Sequence, residues 1–164
     1  MTLQPTPAGR VCQTYMRASR AAPRQARATV RNALASWGLS ALSADAELLA
    51  SELVGNASEE PSSSLIQLTI WPQVEPDGRR GIFCRVSDDS RTSRERRQQP
   101  DIYRGLGHQL VAKLAASSGV TANRNGKTAW FTLTSAEPDR TPDTRHYRVR
   151  AFAERSELER EAGQ

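Results

Sequence analysis

Two turn signals mark the stretch from residue 65 to residue 134 of this chain, and each stands between two runs of strand-forming residues. Glu75-Pro76-Asp77-Gly78 separates Leu65–Trp71 from Gly81–Ser87, and Asn125-Gly126 separates Val120–Asn123 from Thr128–Thr134. Pro presets the backbone at a turn position, and Gly adopts the positive φ that a tight reversal needs. Both pairs therefore read as antiparallel hairpins. Ile82, Cys84 and Val86 share one face of the first hairpin, and Ala129, Phe131 and Leu133 share one face of the second. Pro72 is expected to close the strand that begins at Leu65.

Helices cluster ahead of these strands. A short strand fits Val11–Met16, and a helix fits Pro23–Trp37, where Ala26, Val30, Ala33, Leu34 and Trp37 follow a 3.6-residue period. Pro23 suits its first turn and Gly38 its stop. A second helix runs from Ser43, read as its N-cap, with Asp45 in the first turn, to Ser58. A third runs from Gly105 to Ser117, with Leu106, Leu110, Val111 and Leu114 on its apolar stripe. The order β-α-α-β-β-α-β-β predicts an α+β two-layer sandwich with helices on one sheet face, rather than a doubly wound parallel sheet. With 164 residues, one domain is expected over 10–135, with a disordered stretch at 1–9 and a polar tail at 136–164.

Composition narrows the function classes. No apolar run reaches the length of a membrane span, and residues 1–10 lack the apolar region of a secretory signal, so a cytoplasmic location without a membrane partner is expected. Cys12 and Cys84 form no CxxC and read as packing residues, and the two histidines stand too far apart in the chain to build a zinc site. The net charge is +5, almost all of it from scattered arginines with no basic stripe interleaved with aromatics. Direct nucleic-acid binding is therefore the less favoured reading.

Four short motifs could carry chemistry. Glu52 and Asn56 lie one helical turn apart, about 40° from each other around the axis, so a carboxylate and an amide share one helix face. Asp88 continues the apolar face of Ile82, Cys84 and Val86 and could accept a hydrogen bond from a buried amino group; it could equally cap a turn. Arg104-Gly105-Leu106-Gly107 opens the third helix, where free N–H groups and glycine backbone favour a phosphate. Gly126-Lys127-Thr128 leads into the last strand and reads by itself as a hairpin turn; it is not a Walker motif.

Taken together and in this order, the motifs resemble those of the GHKL (Bergerat-fold) ATPases, and especially the stand-alone anti-sigma-factor serine kinases. Glu52-Leu53-Val54-Gly55-Asn56-Ala57 is similar to that family's N-box, Val86-Ser87-Asp88-Asp89-Ser90 to its adenine-binding box, Gly105-Leu106-Gly107 to its glycine box, and Gly126 to Phe131 to its final strand motif. The resemblance spans roughly residues 11–134. It implies a two-layer sandwich with a mixed, mostly antiparallel sheet. It also implies ATP and magnesium as cofactors, with Asn56 on the metal and Glu52 as the general base for phosphoryl transfer to a serine. Asp88 would hold the adenine amino group, with Ser90 beside it. Arg104, Gly105, Leu106 and Gly107 would line the phosphates, Thr128 would sit near the nucleotide, and 91–103 would form the lid.

The implied partners are a sigma factor, an anti-anti-sigma factor, or both, with a homodimer as a further implication. The chain departs from the family pattern in carrying Glu59-Glu60-Pro61 where His-Gly is usual, Asp89-Ser90-Arg91-Thr92 where a glycine pair is usual, and His108 after the glycine box. Acid near a triphosphate opposes an anionic ligand. Two functions stay open on these residues: an ATP-dependent protein serine kinase, and a partner-binding module of the same fold without catalysis.

Overall fold

The computed structural model of the chain describes residues 10–90, 106–123 and 126–138. It is an α+β fold. Its elements are β1 (Cys12–Arg17), α1 (Ala22–Ser36), a 3-10 turn (Ser40–Leu42), α2 (Ser43–Glu59), β2 (Leu65–Val74), β3 (Arg79–Asp88), α3 (Leu106–Leu114), β4 (Ser117–Asn123) and β5 (Gly126–Pro138). The strands form one five-stranded sheet in the order β1-β2-β3-β5-β4. All four pairings are antiparallel, which corrects the expected mixed sheet among the described strands. The reason lies in the connections: β2–β3 and β4–β5 are hairpins, and the α1–α2 pair returns the chain beside β1 in the opposite direction.

Period-2 alternation decides what each face of the sheet holds. Ile66, Leu68 and Ile70 of β2, Ile82, Cys84 and Val86 of β3, and Ala129, Phe131 and Leu133 of β5 all enter one apolar core with Ala26, Val30 and Leu34 of α1, and Leu49, Leu53 and Val54 of α2. Among the described residues the helices pack on this face. Each fully buried aliphatic side chain contributes about 1.5–3 kcal/mol. Cys84 sits in this core without a disulfide, and burial pushes its thiol far above the ordinary range.

Helix α1 ends as the sequence predicts. Gly38 takes φ +68°, Leu39 N–H donates to the Leu34 carbonyl at 2.9 Å, and Gly38 N–H donates to Ala35 at 3.2 Å. These two bonds are the Schellman pattern, and the buried Leu34 and Leu39 supply its apolar contact. Arg80 of β3 adds a 2.6 Å hydrogen bond to the Trp37 carbonyl, placing positive charge at the helix C-terminus.

Several boundaries differ from expectation. Helix α3 stops at Leu114 rather than Ser117, because Ser117 already pairs with Thr132 as the first residue of β4. Ser43 is not an N-cap: the 3-10 turn feeds straight into α2, Ser43 already has helical φ/ψ, and its hydroxyl donates to Glu47 at 2.8 Å. Pro72 does not close β2, which runs on to Val74. Cys12 of β1 pairs with Ile70, so Pro72 lies on a stretch of β2 with a strand on one side only, where a missing N–H is tolerated. Strand β5 continues past Ser135 to Pro138, which pairs with Arg79 across an irregularity in β3. The expected disordered start at 1–9 lies outside the described residues, as does the tail from 139 onward. No helix among the described residues is long and apolar enough to cross a membrane.

Candidate functional site

Helix α2 lies over the end of the sheet where β3 finishes and β5 begins. Cross-strand register aligns Val86, Ala129 and Val120 in one row and Asp88 and Lys127 in the next, all on the helix side. With Leu53, Asn56 and Ala57 of α2 above them, these eight residues line a small hollow that is open to solvent. Its enclosed space is only about 10 Å³, room for about one water molecule, so a larger ligand would need the walls to part. Its walls are mostly apolar, and its polar groups are one amide, one carboxylate and one ammonium.

The two residues predicted to matter most, Asn56 and Asp88, thus meet in one pocket from elements 32 positions apart (88 − 56) in the chain. Asp88 is only 8% exposed. Ser90 fixes it: the Ser90 N–H donates to Asp88 Oδ1 at 2.9 Å, and the Ser90 hydroxyl donates to the same oxygen. The second carboxylate oxygen takes no hydrogen bond from a described residue, so it can accept one from an incoming donor. The side-chain amide of Asn56 likewise has no described partner.

Asp89 is oriented differently and has another task. Its carboxylate accepts from Ser64 N–H at 2.7 Å, Leu65 N–H at 3.0 Å and the Ser64 hydroxyl at 2.5 Å. These bonds hold its pKa down at about 2. They tie the start of β2 to the end of β3 and so steady the backbone that carries Asp88. Gly126 completes the arrangement. A side chain there would place its Cβ 1.9 Å from the Asp88 carbonyl oxygen, and φ is +153°, so only glycine lets β5 start against Asp88.

The remaining predicted residues divide by position. Ser90 is buried behind Asp88 rather than in the pocket wall. Glu52 is half-buried on α2 one turn before Asn56, outside the lining, and bonds to no described residue. Thr128 is not brought to the pocket: alternation turns it to the opposite face of β5, where its hydroxyl pairs with Ser87 at 3.0 Å. Leu106 and Gly107 open α3. Arg104, Gly105 and the expected lid at 91–103 lie outside the described residues.

The sequence reading missed Lys127, which it placed in a turn. The signal was available: running the alternation of Leu133, Phe131 and Ala129 back by one more step puts Lys127 on the core face. In the structure its ammonium stands 3.3 Å from Glu60 Oε1, with the two side chains 14% and 30% exposed.

A magnesium ion takes about six oxygen ligands and keeps several waters. No cluster of three or more acidic, His or Cys side chains that could hold a metal occurs among the described residues. Asn56 alone therefore fits magnesium only as one ligand among phosphate oxygens. The lining matches a hydrogen-bond donor on an apolar group better than a bare cation, since apolar walls stand beside an Asp88 oxygen with spare acceptor capacity. The chain matches no family model and no curated protein.

Proposed function

We propose that this chain is an ATP-binding regulatory protein whose pocket holds the adenine ring between α2 and the β3–β5 row. The observation that carries this reading is the meeting of Asn56 with the buried, Ser90-braced Asp88 in one apolar-walled hollow. Asp88 would accept the adenine amino hydrogen, and Asn56 would meet a magnesium ion carried in on the phosphates, which neutralises charge during phosphoryl transfer. Glu52, one helical turn from Asn56, would receive the proton of an attacking serine hydroxyl as that oxygen takes the terminal phosphoryl group and ADP leaves. The resemblance to anti-sigma-factor serine kinases supplies the partners of this reading, a sigma factor and an anti-anti-sigma factor carrying the serine.

A second reading keeps the pocket and the partner but not the catalysis. It is favoured by Glu60, a carboxylate within reach of the pocket residue Lys127, which disfavours a polyphosphate. Calorimetric titration of ATP with magnesium tests the first step of both. Binding that Asp88→Asn weakens and Asn56→Ala strips of its magnesium dependence supports the nucleotide site. Absence of binding at millimolar ATP would remove it. Phosphorylation of a partner serine that Glu52→Ala abolishes then separates kinase from binding module.

A further inference from the structure

Lys127 and Asp88 are direct cross-strand partners, and both face α2. Opposite charges so placed usually pair with each other. Here they do not. Asp88 is braced through Oδ1 by Ser90, while the lysine leans across to Glu60 at the C-terminal end of α2. Lys127 is one of only two lysines in the chain, and its side chain is 14% exposed. A cation held so deep in a pocket wall is costly to desolvate and needs a counter-charge. Glu60 supplies one now. It follows the last residue of α2 with an extended backbone, and its side chain is the more exposed of the two.

We propose that Lys127 is the anion-reading group of this pocket and that Glu60 holds it in reserve, yielding the ammonium to the negatively charged part of a nucleoside phosphate when the base enters. The proposal rests on the nucleotide reading above. It assigns the two ends of the ligand to two neighbouring side chains: Asp88 takes a hydrogen-bond donor on the base, and Lys127 takes the anion. It also gives the departure at Glu60 a role. A ligand is admitted once its base occupies the hollow and its anion replaces the Glu60 carboxylate.

The test compares adenosine, AMP and ATP by calorimetric titration at fixed ionic strength, using the full chain and the variants Lys127→Met, Lys127→Arg, Glu60→Gln and Asp88→Asn. Lys127→Met is expected to leave adenosine affinity within about twofold while weakening ATP about tenfold, the loss of one charge-assisted hydrogen bond. Lys127→Arg should restore most of the ATP affinity. Glu60→Gln should tighten ATP about threefold, the scale of a partly exposed ion pair, and leave adenosine unchanged. Equal weakening of adenosine and ATP by Lys127→Met, or no effect on either, would overturn the proposal while leaving the pocket intact. Failure of the folded wild type to bind either ligand would overturn the nucleotide reading and this proposal with it. Adenosine binding that Asp88→Asn weakens separates the two failures, and Glu60→Gln carries the test if Lys127→Met does not fold.

Discussion

The two faces of the central sheet are built from the same strands and do different work. The helix face is mostly aliphatic, and at its end Asp88, Asn56 and Lys127 interrupt the apolar lining with polar groups. The opposite face is aromatic. Trp71, Phe83 and Trp130 come from three adjacent strands and stack in sequence, with ring centroids 4.6 Å and 5.5 Å apart and planes within 18°. Arg85 extends over Trp71 at 5.8 Å. Gly119 of β4 lies against the Trp130 ring so closely that a Cβ would stand 2.7 Å from it. The comparison teaches that period-2 alternation lets one strand carry a pocket-lining residue and a rigid brace at neighbouring positions: Asp88 lines the pocket while Ser87 pairs with Thr128 behind it.

The largest effect is expected from breaking the brace. Phe83 is fully buried between its two tryptophans, so Phe83→Ala should cost about 3–5 kcal/mol in urea unfolding. The proposed nucleotide affinity of the molecules that remain folded should stay the same, because no pocket residue is removed. A parallel loss of affinity would mean that the two faces are not separable. Gly126→Ala should come next, at about 1–3 kcal/mol, since its Cβ would collide with backbone rather than with a yielding side chain. Unlike the Phe83 change, it should also weaken binding, because the Asp88 carbonyl must move. Asp88→Asn should do the opposite of Phe83→Ala. Nucleotide affinity should fall about tenfold with the loss of one charged acceptor, and the unfolding midpoint should change little.

Asp89 sharpens the same boundary through pH. Its folded pKa is about 2, below the ordinary carboxylate value, because three hydrogen bonds from Ser64 and Leu65 favour the ionised form. A depressed folded pKa gives stability that is fully present above the unfolded value near about 4 and is lost as pH falls toward 2. Thermal unfolding followed from pH 6 to pH 2 should therefore show a loss in that window that Asp89→Asn removes, its stability being lower at neutral pH and flatter in acid. Equal acid dependence in wild type and variant would mean that Asp89 does not tie β2 to β3.

Much of this arrangement was legible in the chain. The Pro-Asp-Gly and Asn-Gly turns announced both hairpins, and the 3.6-residue spacing of Ala26, Val30, Leu34 and Trp37 announced the buried face of α1. At the site, Asn56 and Asp88 were legible because each sits at the edge of an apolar pattern, where a polar residue stands out. What was not legible depended on neighbours distant in sequence. Pro72 could stay in β2 only because β1 stops short of it. Ser43 lost its capping role to a preceding 3-10 turn. Thr128 looked like a site residue from its motif, yet one step of strand register put it behind the sheet and brought Lys127 forward. Asp89 looked like an equal neighbour of Asp88, and only the folded chain brings Ser64 against it.

The smallest expected effect concerns polar groups on the aromatic face. Thr69, Arg85 and Trp130 occupy one register row across β2, β3 and β5. Thr69 Oγ1, Arg85 Nε and Trp130 Nε1 are buried and find no hydrogen-bond partner among the described residues. A buried hydroxyl without a partner loses its hydration and regains nothing, so replacing it by a methyl of similar volume removes a cost. Thr69→Val keeps the branched shape and the strand preference. It should raise the unfolding free energy by up to about 1 kcal/mol and leave nucleotide binding unchanged. A loss of stability instead would mean that the Thr69 hydroxyl bonds to something beyond the described residues.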